Sequence, residues 1–316
     1  MLRCIYINRE VVLGPWGGGN RFLKALIDAL TEAGHVVTHD PGLKIDVAFC
    51  MDPRPGSTRN LLDYQGIRKL GVPIIQRVGD LGTHGKPELL DMLFGSVHSS
   101  DVVVFPSQWA LDYFWEARSF TGLSSRNESG KRGIISETWL RPALWHVIKN
   151  APASIFYDHR SFKKELPEIP SIVTHHWSTN PKKGFQFYDE LSRTDAKFQY
   201  YGRAQGNQTI ILNSEDLSMQ LPKFDIYLSA SEEEAGANHV LEALACGLPV
   251  IYHENGGSIP EYCKPYGVPF DGSIGSFQLA LKRLRVEYRD IIYRLSWYND
   301  RMENQAKMYV DLIEGL

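Results

Sequence analysis

Short apolar runs alternate along this chain with segments of helical periodicity, and this alternation restricts the fold more than any other feature. Three of the apolar runs, Cys4–Ile7, residues 47–49 and Val102–Phe105, have the length and composition of buried strands. An apolar stripe at helical spacing follows the first run and consists of Leu23, Leu26, Ile27 and Leu30. Strands that alternate with helices favour a parallel sheet covered by helices on both faces. The sequence therefore predicts an α/β fold, with Asn20 as the N-cap of the first helix.

A second alternating series begins near residue 172, and together with the length of 316 residues it predicts two domains. We expect the first domain over residues 1–150 and the second over residues 151–285. Between the two series, residues 118–138 are rich in polar residues and lack periodicity, so we predict a long exposed loop there. Residues 286–316 carry one apolar stripe at helical spacing. We expect them to form one helix, or two in succession, that returns to the first domain.

Charge and cysteine content restrict the partners and the compartment. A formal net charge of -3 gives no overall basic field, so we expect no nucleic-acid partner. The four cysteines lie far apart and form no CxxC pair, which is typical of a reducing compartment and predicts a cytoplasmic protein. No stretch approaches the roughly 18 apolar residues that span a bilayer. Peripheral contact with a membrane surface stays open.

The densest signal for chemistry lies in residues 231–250, which have the pattern of a strand end, a turn of small residues and a helix. Backbone N–H groups at the start of such a helix attract an anion, and small residues let the anion approach. The small or polar residues at this helix start are Gly236, Ala237 and Asn238. Glu234 precedes them, where a carboxylate accepts hydrogen bonds from sugar hydroxyls. Glu242 follows about two turns along the helix and is placed to reach a ribose.

Cationic residues and glycines supply the remaining candidates for binding a sugar nucleotide. Lys183 lies where a predicted strand leads into a helix, and a departing diphosphate needs positive charge at its leaving oxygen. His176 precedes it at the strand end, and Arg203 follows the next predicted strand. Gly18 and Gly19 belong to a glycine-rich loop, where glycine lets the backbone approach a phosphate or an acceptor.

These segments resemble the retaining glycosyltransferases with the GT-B fold, the glycosyl transferases group 1 family. Residues 234–250 resemble the family's Glu-x7-Glu donor motif and its Glu-Ala-x-Ala-Cys-Gly-x-Pro-Val sequence. The resemblance implies that Glu234 contacts the donor sugar and Glu242 the ribose, and that Lys183 neutralises the donor diphosphate. It also implies two Rossmann-like domains with the active site in the cleft between them, and transfer with retention at the anomeric carbon.

The chain departs from the family pattern in three places. Ala235-Gly236-Ala237 stands where the family has Gly-Phe-Gly. The family's arginine before Lys183 is missing, and His176 stands near its place. Residues 256–262 resemble the family's Gly-Gly-x-x-Glu loop with one extra residue. We expect this loop to form either the far wall of the donor pocket or an ordinary glycine-rich turn.

Candidates for acid-base chemistry lie in the first domain. Arg77, Asp80 and His84 follow a predicted strand at the carboxyl edge of its sheet, where open α/β sheets place ligands. We therefore assign catalytic roles on the acceptor side to Asp80 and His84, beside Glu234 on the donor side. The chain contains no Asp-x-Asp pair, the motif with which the other major glycosyltransferase fold holds a divalent metal. We expect neither a metal nor a cofactor.

The sequence thus predicts a glycosyltransferase, hexosyl or other, that moves a sugar from a nucleoside-diphosphate sugar to a glycan, lipid or small-molecule acceptor. Two alternatives stay open. A nucleotide-sugar epimerase of the same fold would need a cluster of acid-base residues that the sequence does not reveal. A non-catalytic relative that binds sugar nucleotides is favoured by the missing arginine, whereas the presence of Glu234 and Glu242 argues against it.

Overall fold

The computed structural model describes residues 2–12, 18–54, 61–120, 125–126, 132–133, 144–203 and 210–316. These residues form two compact units, each of which has its own parallel sheet. Unit 1 consists of Met1–Glu10, Ile27–Lys149 and Met308–Leu316, and unit 2 consists of Val11–Leu26 and Asn150–Lys307. The domains predicted from the sequence put residues 11–26 in the first domain and end the second at residue 285, so the two divisions of the chain differ at both places.

The described residues of unit 1 form eight strands. They are β1 (Cys4–Ile7), β2 (Val36–Thr38), β3 (Val47–Cys50), β4 (Ile74–Arg77), β5 (Val102–Phe105), β6 (Ser125–Arg126), β7 (Arg132–Gly133) and β8 (Leu144–Val147). Six of them form a parallel sheet in the order β2-β1-β3-β4-β5-β8, and β6 pairs with β7 in a separate antiparallel pair. Every residue of β3, β4 and β5 is buried, as expected for central parallel strands covered on both faces.

The helices of unit 1 follow its strands along the chain. They are the C-terminal part of α1 (Gly18–Glu32), then α2 (Tyr64–Arg68), α3 (Glu88–His98) and α4 (Gln108–Phe120). Because all six strands of the main sheet run parallel, their carboxyl ends lie at one edge. The segment after β4, which carries Asp80 and His84, therefore leaves the sheet at the edge where open α/β sheets place their ligands.

Unit 2 contains a five-stranded parallel sheet. Its strands are β9 (Ser171–His176), β10 (Lys197–Gly202), β11 (Ile226–Ser229), β12 (Val250–His253) and β13 (Gly267–Phe270), in the order β10-β9-β11-β12-β13. Its helices are the first part of α1, α5 (Ile155–Asp158), α6 (Phe185–Ser192), α7 (Ser214–Gln220), α8 (Asn238–Ala245), α9 (Ser258–Cys263), α10 (Ile274–Ser296) and the first part of α11 (Met302–Glu314). Two 3-10 turns cover Pro181–Lys183 and Leu221–Lys223. No helix in the described part of the chain is long and apolar enough to cross a membrane.

Helix α8 is buried along almost its whole length, because α5 and α9 pack against it. Most of its residues are aliphatic, so the two buried polar side chains within it, His239 and Glu242, are exceptions that need partners. His239 Nε2 lies 3.0 Å from Ser229 Oγ. The partners of Glu242 belong to the candidate site described below.

The structure bears out the alternating pattern read from the sequence. The strand predicted over residues 102–105 coincides with β5, and the helix predicted within residues 231–250 is α8, which begins at Asn238. Of the loop predicted over residues 118–138, the first three residues complete α4 and four more form β6 and β7. The rest of that loop and residues 14–17 of the glycine-rich loop lie outside the described residues.

The structure contradicts one local prediction and decides between the two alternatives of another. Asn20 as an N-cap is wrong, because α1 begins at Gly18 and the Asn20 side chain instead exchanges hydrogen bonds of 2.8 and 2.9 Å with the backbone of Val12. The C-terminal segment forms two helices in succession, and α10 continues without a break through the predicted boundary at residue 285. The apolar stripe of the whole C-terminal segment is buried, at Ile291, Leu295, Tyr298, Met302, Ala306, Tyr309 and Ile313.

Candidate functional site

Lys183 is held in place by the turn that precedes it and the glycine that follows it. The Asn180 side chain accepts a 3.0 Å hydrogen bond from the Lys182 backbone N–H and caps the 3-10 turn, which Pro181 begins. Gly184 has φ = +84° and is the N-cap of α6, and a Cβ atom there would lie 2.5 Å from the carbonyl oxygen of Ala230. Only glycine allows this approach, so the Lys-Gly pair positions Lys183 beside the end of β11.

The ammonium group of Lys183 forms an ion pair with the Glu234 carboxylate, and each of the two side chains is only 12% exposed. A parallel ion pair joins Lys182 to Glu233, but those side chains are 40% and 37% exposed. The backbone N–H of Glu232 donates a 2.9 Å hydrogen bond to the Lys182 carbonyl, which keeps the two segments side by side. The structure therefore brings together two residues that the sequence analysis singled out separately.

The loop with Gly256 and Gly257 fixes the backbone of Glu234. The Glu234 N–H donates to the Gly256 carbonyl at 3.3 Å, and the Glu234 carbonyl accepts from the Ser258 N–H at 2.8 Å. Gly257 has φ = +71°, and a Cβ atom there would lie 2.5 Å from both the nitrogen and the oxygen of Glu234. Glu233 also has a positive φ, of 51°, which is uncommon for a residue with a side chain. The glycine loop thus has a definite role that the sequence analysis did not foresee, as the support of the Glu234 backbone.

The N-terminus of α8 packs closely against the start of α1. A Cβ atom on Gly18 would fall 2.1 Å from the Asn238 side-chain nitrogen, so a larger residue at position 18 would displace Asn238. The Ala237 N–H donates to Ser258 Oγ at 3.2 Å, and the Gly236 carbonyl accepts from Asn150 Nδ2 at 3.2 Å. The predicted donor-binding residues Gly18, Gly236, Ala237 and Asn238 therefore lie together in unit 2.

Glu242 is 3% exposed and both of its carboxylate oxygens are engaged. Oε1 forms an ion pair with the Arg21 guanidinium, and Oε2 lies 2.9 Å from His175 Nε2. The other ring nitrogen of His175 lies 3.1 Å from the Tyr227 hydroxyl. Burial by itself raises the pKa of Glu242, but Arg21 and His175 hold the pKa of this carboxyl below its ordinary value. Glu242 is therefore an ionised carboxylate in a hydrogen-bonded network.

Arg21 is the main functional candidate that the sequence analysis missed. Besides its ion pair with Glu242, its guanidinium donates to Ser214 Oγ and lies 5.6 Å from the centre of the Phe156 ring. As a result, each of the two glutamates of the Glu-x7-Glu motif is paired with one cation, Glu234 with Lys183 and Glu242 with Arg21. The only local sign of this role is the position of Arg21 directly after the glycine-rich loop.

The remaining donor-side candidates lie in less favourable surroundings. His176 is 3% exposed, and its Nε2 lies 3.0 Å from the Tyr188 hydroxyl, within a cluster that includes Tyr200. This burial gives no support to His176 as a cation for the diphosphate. Arg203 is exposed at the end of β10, where its backbone N–H donates to the His176 carbonyl at 3.1 Å. Gly18 and Gly19 lie in the first turn of α1 and not in the loop that the sequence predicts, and Gly19 is half-buried there.

The predicted acceptor-side residues belong to unit 1. Asp80 Oδ2 lies 2.8 Å from the Lys86 ammonium, and Asp80 Oδ1 accepts a 2.9 Å hydrogen bond from the Gly82 N–H. His84 is half-buried in the same turn. Asp80 thus stabilises the loop after β4, and acid-base roles for Asp80 and His84 stay predictions. Across the described ranges, no group of three or more His, Cys, Asp or Glu side chains is arranged to hold a metal ion.

Comparison with known proteins identifies the fold. Neither a protein-family model nor a curated protein sequence matches the chain. Sucrose-phosphate synthase from Thermosynechococcus elongatus superposes with a TM-score of 0.64 at 13% identity, over 99% of this chain and 98% of that chain. Anabaena HepE in complex with UDP-glucose gives a TM-score of 0.61 at 13% identity, over the whole of both chains.

A third similar structure is WaaG, a glycosyltransferase involved in lipopolysaccharide biosynthesis, with a TM-score of 0.54 at 11% identity over 98% of this chain and 94% of that chain. The two parallel sheets with flanking helices match the architecture of these GT-B glycosyltransferases, which confirms the predicted fold class. At such low identity the likeness shows the fold alone.

Proposed function

We propose that this protein is a glycosyltransferase that uses a nucleoside-diphosphate sugar as its donor. The observation that carries the proposal is the shielded ion pair between Lys183 and Glu234, which lies just before the N-terminus of α8. A cation and a helix N-terminus are the two groups that a diphosphate needs, and a carboxylate is the group that binds sugar hydroxyls. HepE, which has the same fold, is known in complexes with UDP and UDP-glucose, so UDP-glucose is the first donor to test.

In the proposed reaction the ion pair between Lys183 and Glu234 separates when the donor binds. The diphosphate then pairs with the Lys183 ammonium, and the Glu234 carboxylate accepts hydrogen bonds from the sugar hydroxyls. The positive charge then lies beside the oxygen that leaves the anomeric carbon, where negative charge develops in the transition state. Both side chains are largely shielded from water, and shielding strengthens each of these electrostatic interactions.

Glu242 is proposed to bind the ribose of the donor. Arg21 and His175 each occupy one carboxylate oxygen, but an ionised carboxylate has about four acceptor positions and retains capacity for ribose hydroxyls. The network fixes the orientation of the carboxylate before the donor arrives. Arg21 is proposed as a second cation of the site, in place of the family arginine that this chain lacks.

Retention and metal independence belong to the same proposal. The bond between the anomeric carbon and the phosphate oxygen breaks while the acceptor oxygen bonds to that carbon on the same face, and the acceptor proton passes to the leaving diphosphate. The absence of an Asp-x-Asp pair from the sequence supports a leaving group that Lys183 and the α8 dipole stabilise without a metal. Asp80 and His84 are proposed to orient the acceptor hydroxyl.

Incubation with a panel of radiolabelled UDP-, GDP- and ADP-sugars tests this function. We expect slow hydrolysis of one donor in the absence of an acceptor. Lys183→Gln should reduce the hydrolysis by at least about tenfold, because it removes the charge at the leaving oxygen. Lys182→Gln is the matched control, since its ion pair is exposed, and it should hydrolyse the donor at the wild-type rate.

Each other outcome of this assay supports a different function. Tight donor binding without turnover would identify a non-catalytic relative, and release of an epimeric sugar nucleotide would identify an epimerase. Failure of every sugar nucleotide to bind would contradict the assignment of the donor site.

A further inference from the structure

Helix α10 carries a second apolar stripe on its solvent-exposed side. Its buried side packs into the core of unit 2 through Phe277, Ala280, Leu284, Tyr288, Ile291 and Leu295. The second stripe, here called the outer stripe, consists of three residues of α10 and its C-cap, which are 66%, 86%, 67% and 74% exposed: Leu279, Val286, Tyr293 and the C-cap Trp297. Large apolar residues that are exposed singly are common, but four in one row along a helix need an explanation.

The spacing of the outer stripe places its members on one face. Steps of seven, seven and four residues keep the four side chains within about 40° of one another around the helix axis. The stripe extends over roughly 27 Å, at 1.5 Å per residue. Tyr293 and Trp297, at its C-terminal end, form an edge-to-face pair with ring centres 6.4 Å apart.

Cations border the outer stripe on both sides. Lys282 and Arg289 lie on one side, and Arg283 and Arg294 lie on the other. The helix as a whole carries five Lys and Arg residues against two carboxylates, in a chain whose net charge is -3. Arg283 is paired with Glu287 at 2.7 Å, and Arg289 lies 3.7 Å from Glu165. The helix that exposes the apolar stripe nevertheless carries more cations than carboxylates.

We propose that the outer stripe of α10 docks on the surface of an anionic phospholipid membrane. Tyrosine and tryptophan are enriched at the interface between lipid and water, because each has an apolar ring and a polar group. Lys and Arg beside an apolar stripe attract anionic headgroups, as they do in helices that lie in the interface. The donor-site residues Lys183, Glu234 and Glu242 belong to other elements of unit 2, so docking requires none of them.

Charge favours a membrane over a second copy of the chain as the occupant of this surface. If two outer stripes packed against each other, they would bring two helices with an excess of positive charge together, and like charges destabilise such a contact. The stripe also lacks the second row of apolar residues that a coiled coil requires, because positions 283 and 290 between its members are Arg283 and Asp290.

Flotation of the full-length protein with vesicles tests the proposal. At about 50 mM salt we expect binding to vesicles that contain phosphatidylglycerol and at least about tenfold weaker binding to pure phosphatidylcholine. A double variant, Tyr293→Ser with Trp297→Ser, should lose at least about tenfold in binding to the anionic vesicles. The combination of Lys282→Gln with Arg289→Gln should lose roughly 25-fold, at about fivefold for each cation.

Leu43→Ser is the matched control, because Leu43 is 52% exposed but lies in unit 1, and this variant should float like the wild type. Thermal unfolding establishes that each variant is folded. The proposal is wrong if the wild type fails to float with anionic vesicles, or if the variants float as it does. It is also wrong if light scattering shows a dimer that Trp297→Ser converts to a monomer, since a second copy would then cover the stripe.

Discussion

Glu234→Gln is the substitution that tests the proposed donor site most directly, because it removes a charge from a shielded ion pair and leaves the side-chain volume unchanged. In the proposed mechanism Glu234 binds the sugar through its charge. A hydrogen bond to a charged partner is worth about 1.5–3 kcal/mol, so the loss should reduce the rate of transfer by roughly one to two orders of magnitude. The backbone contacts of Glu234 with Gly256 and Ser258 remain, so the fold should persist.

The same substitution should strengthen the binding of the nucleoside diphosphate alone. Lys183 is paired with Glu234 before the donor arrives, and breaking that pair opposes the binding of the diphosphate. In the variant the ammonium is free of this partner, and a gain of about 1 kcal/mol corresponds to roughly fivefold tighter binding. Titration calorimetry with the nucleoside diphosphate of the active donor measures this effect, while donor hydrolysis measures the loss of rate.

Glu233→Gln provides the control for both measurements. Its ion pair with Lys182 has the same chemistry but is exposed to solvent, where such pairs contribute about 0–1 kcal/mol. We therefore expect its rate and its affinity to stay within about twofold of the wild type. The reasoning fails if Glu234→Gln retains the wild-type rate, or if the nucleoside diphosphate binds this variant more weakly.

Three further predictions follow from particular contacts. Gly184→Ala should destabilise the fold by more than about 1 kcal/mol, because the positive φ of Gly184 and the nearby Ala230 carbonyl exclude a Cβ atom. Gly275→Ala in α10 is the control: a Cβ atom there meets nothing within 4 Å, so this substitution should raise the melting temperature. Glu242 has a lowered pKa, so it stabilises the protein above its ordinary pKa of 4.5 and this stabilisation is lost as the pH falls below that value. Urea unfolding of Glu242→Gln should accordingly show lower stability at neutral pH and a flatter dependence below about pH 4.5, and an unchanged slope would refute the assigned network. Sugar transfer should survive EDTA, and inactivation that manganese or magnesium reverses would overturn the metal-independent mechanism.

The alternation of strands and helices could be predicted from the sequence because it depends on neighbours along the chain. A strand covered on both faces is a short continuous apolar run, and β5 matches its prediction residue for residue. The start of α8 after small residues and its end before Gly247 also follow from local chemistry. Glu234 and Lys183 are predicted as site residues in the same way, because each lies next to a recognisable strand end or helix start.

What the sequence could not determine is which distant side chains meet. Arg21 and Glu242 are 221 residues apart, and no local pattern pairs them, yet the buried carboxylate needs a cation and packing supplies this one. Similarly, Asn20 is a residue type that often caps helices, but its side chain forms hydrogen bonds with the Val12 backbone. Gly256 and Gly257 support the Glu234 backbone from another loop. Periodicity records which face of an element is buried, and it determines the fold class. Partners across the fold depend on how the elements pack, so only the tertiary structure decided that Glu234 and Glu242 each pair with a separate cation.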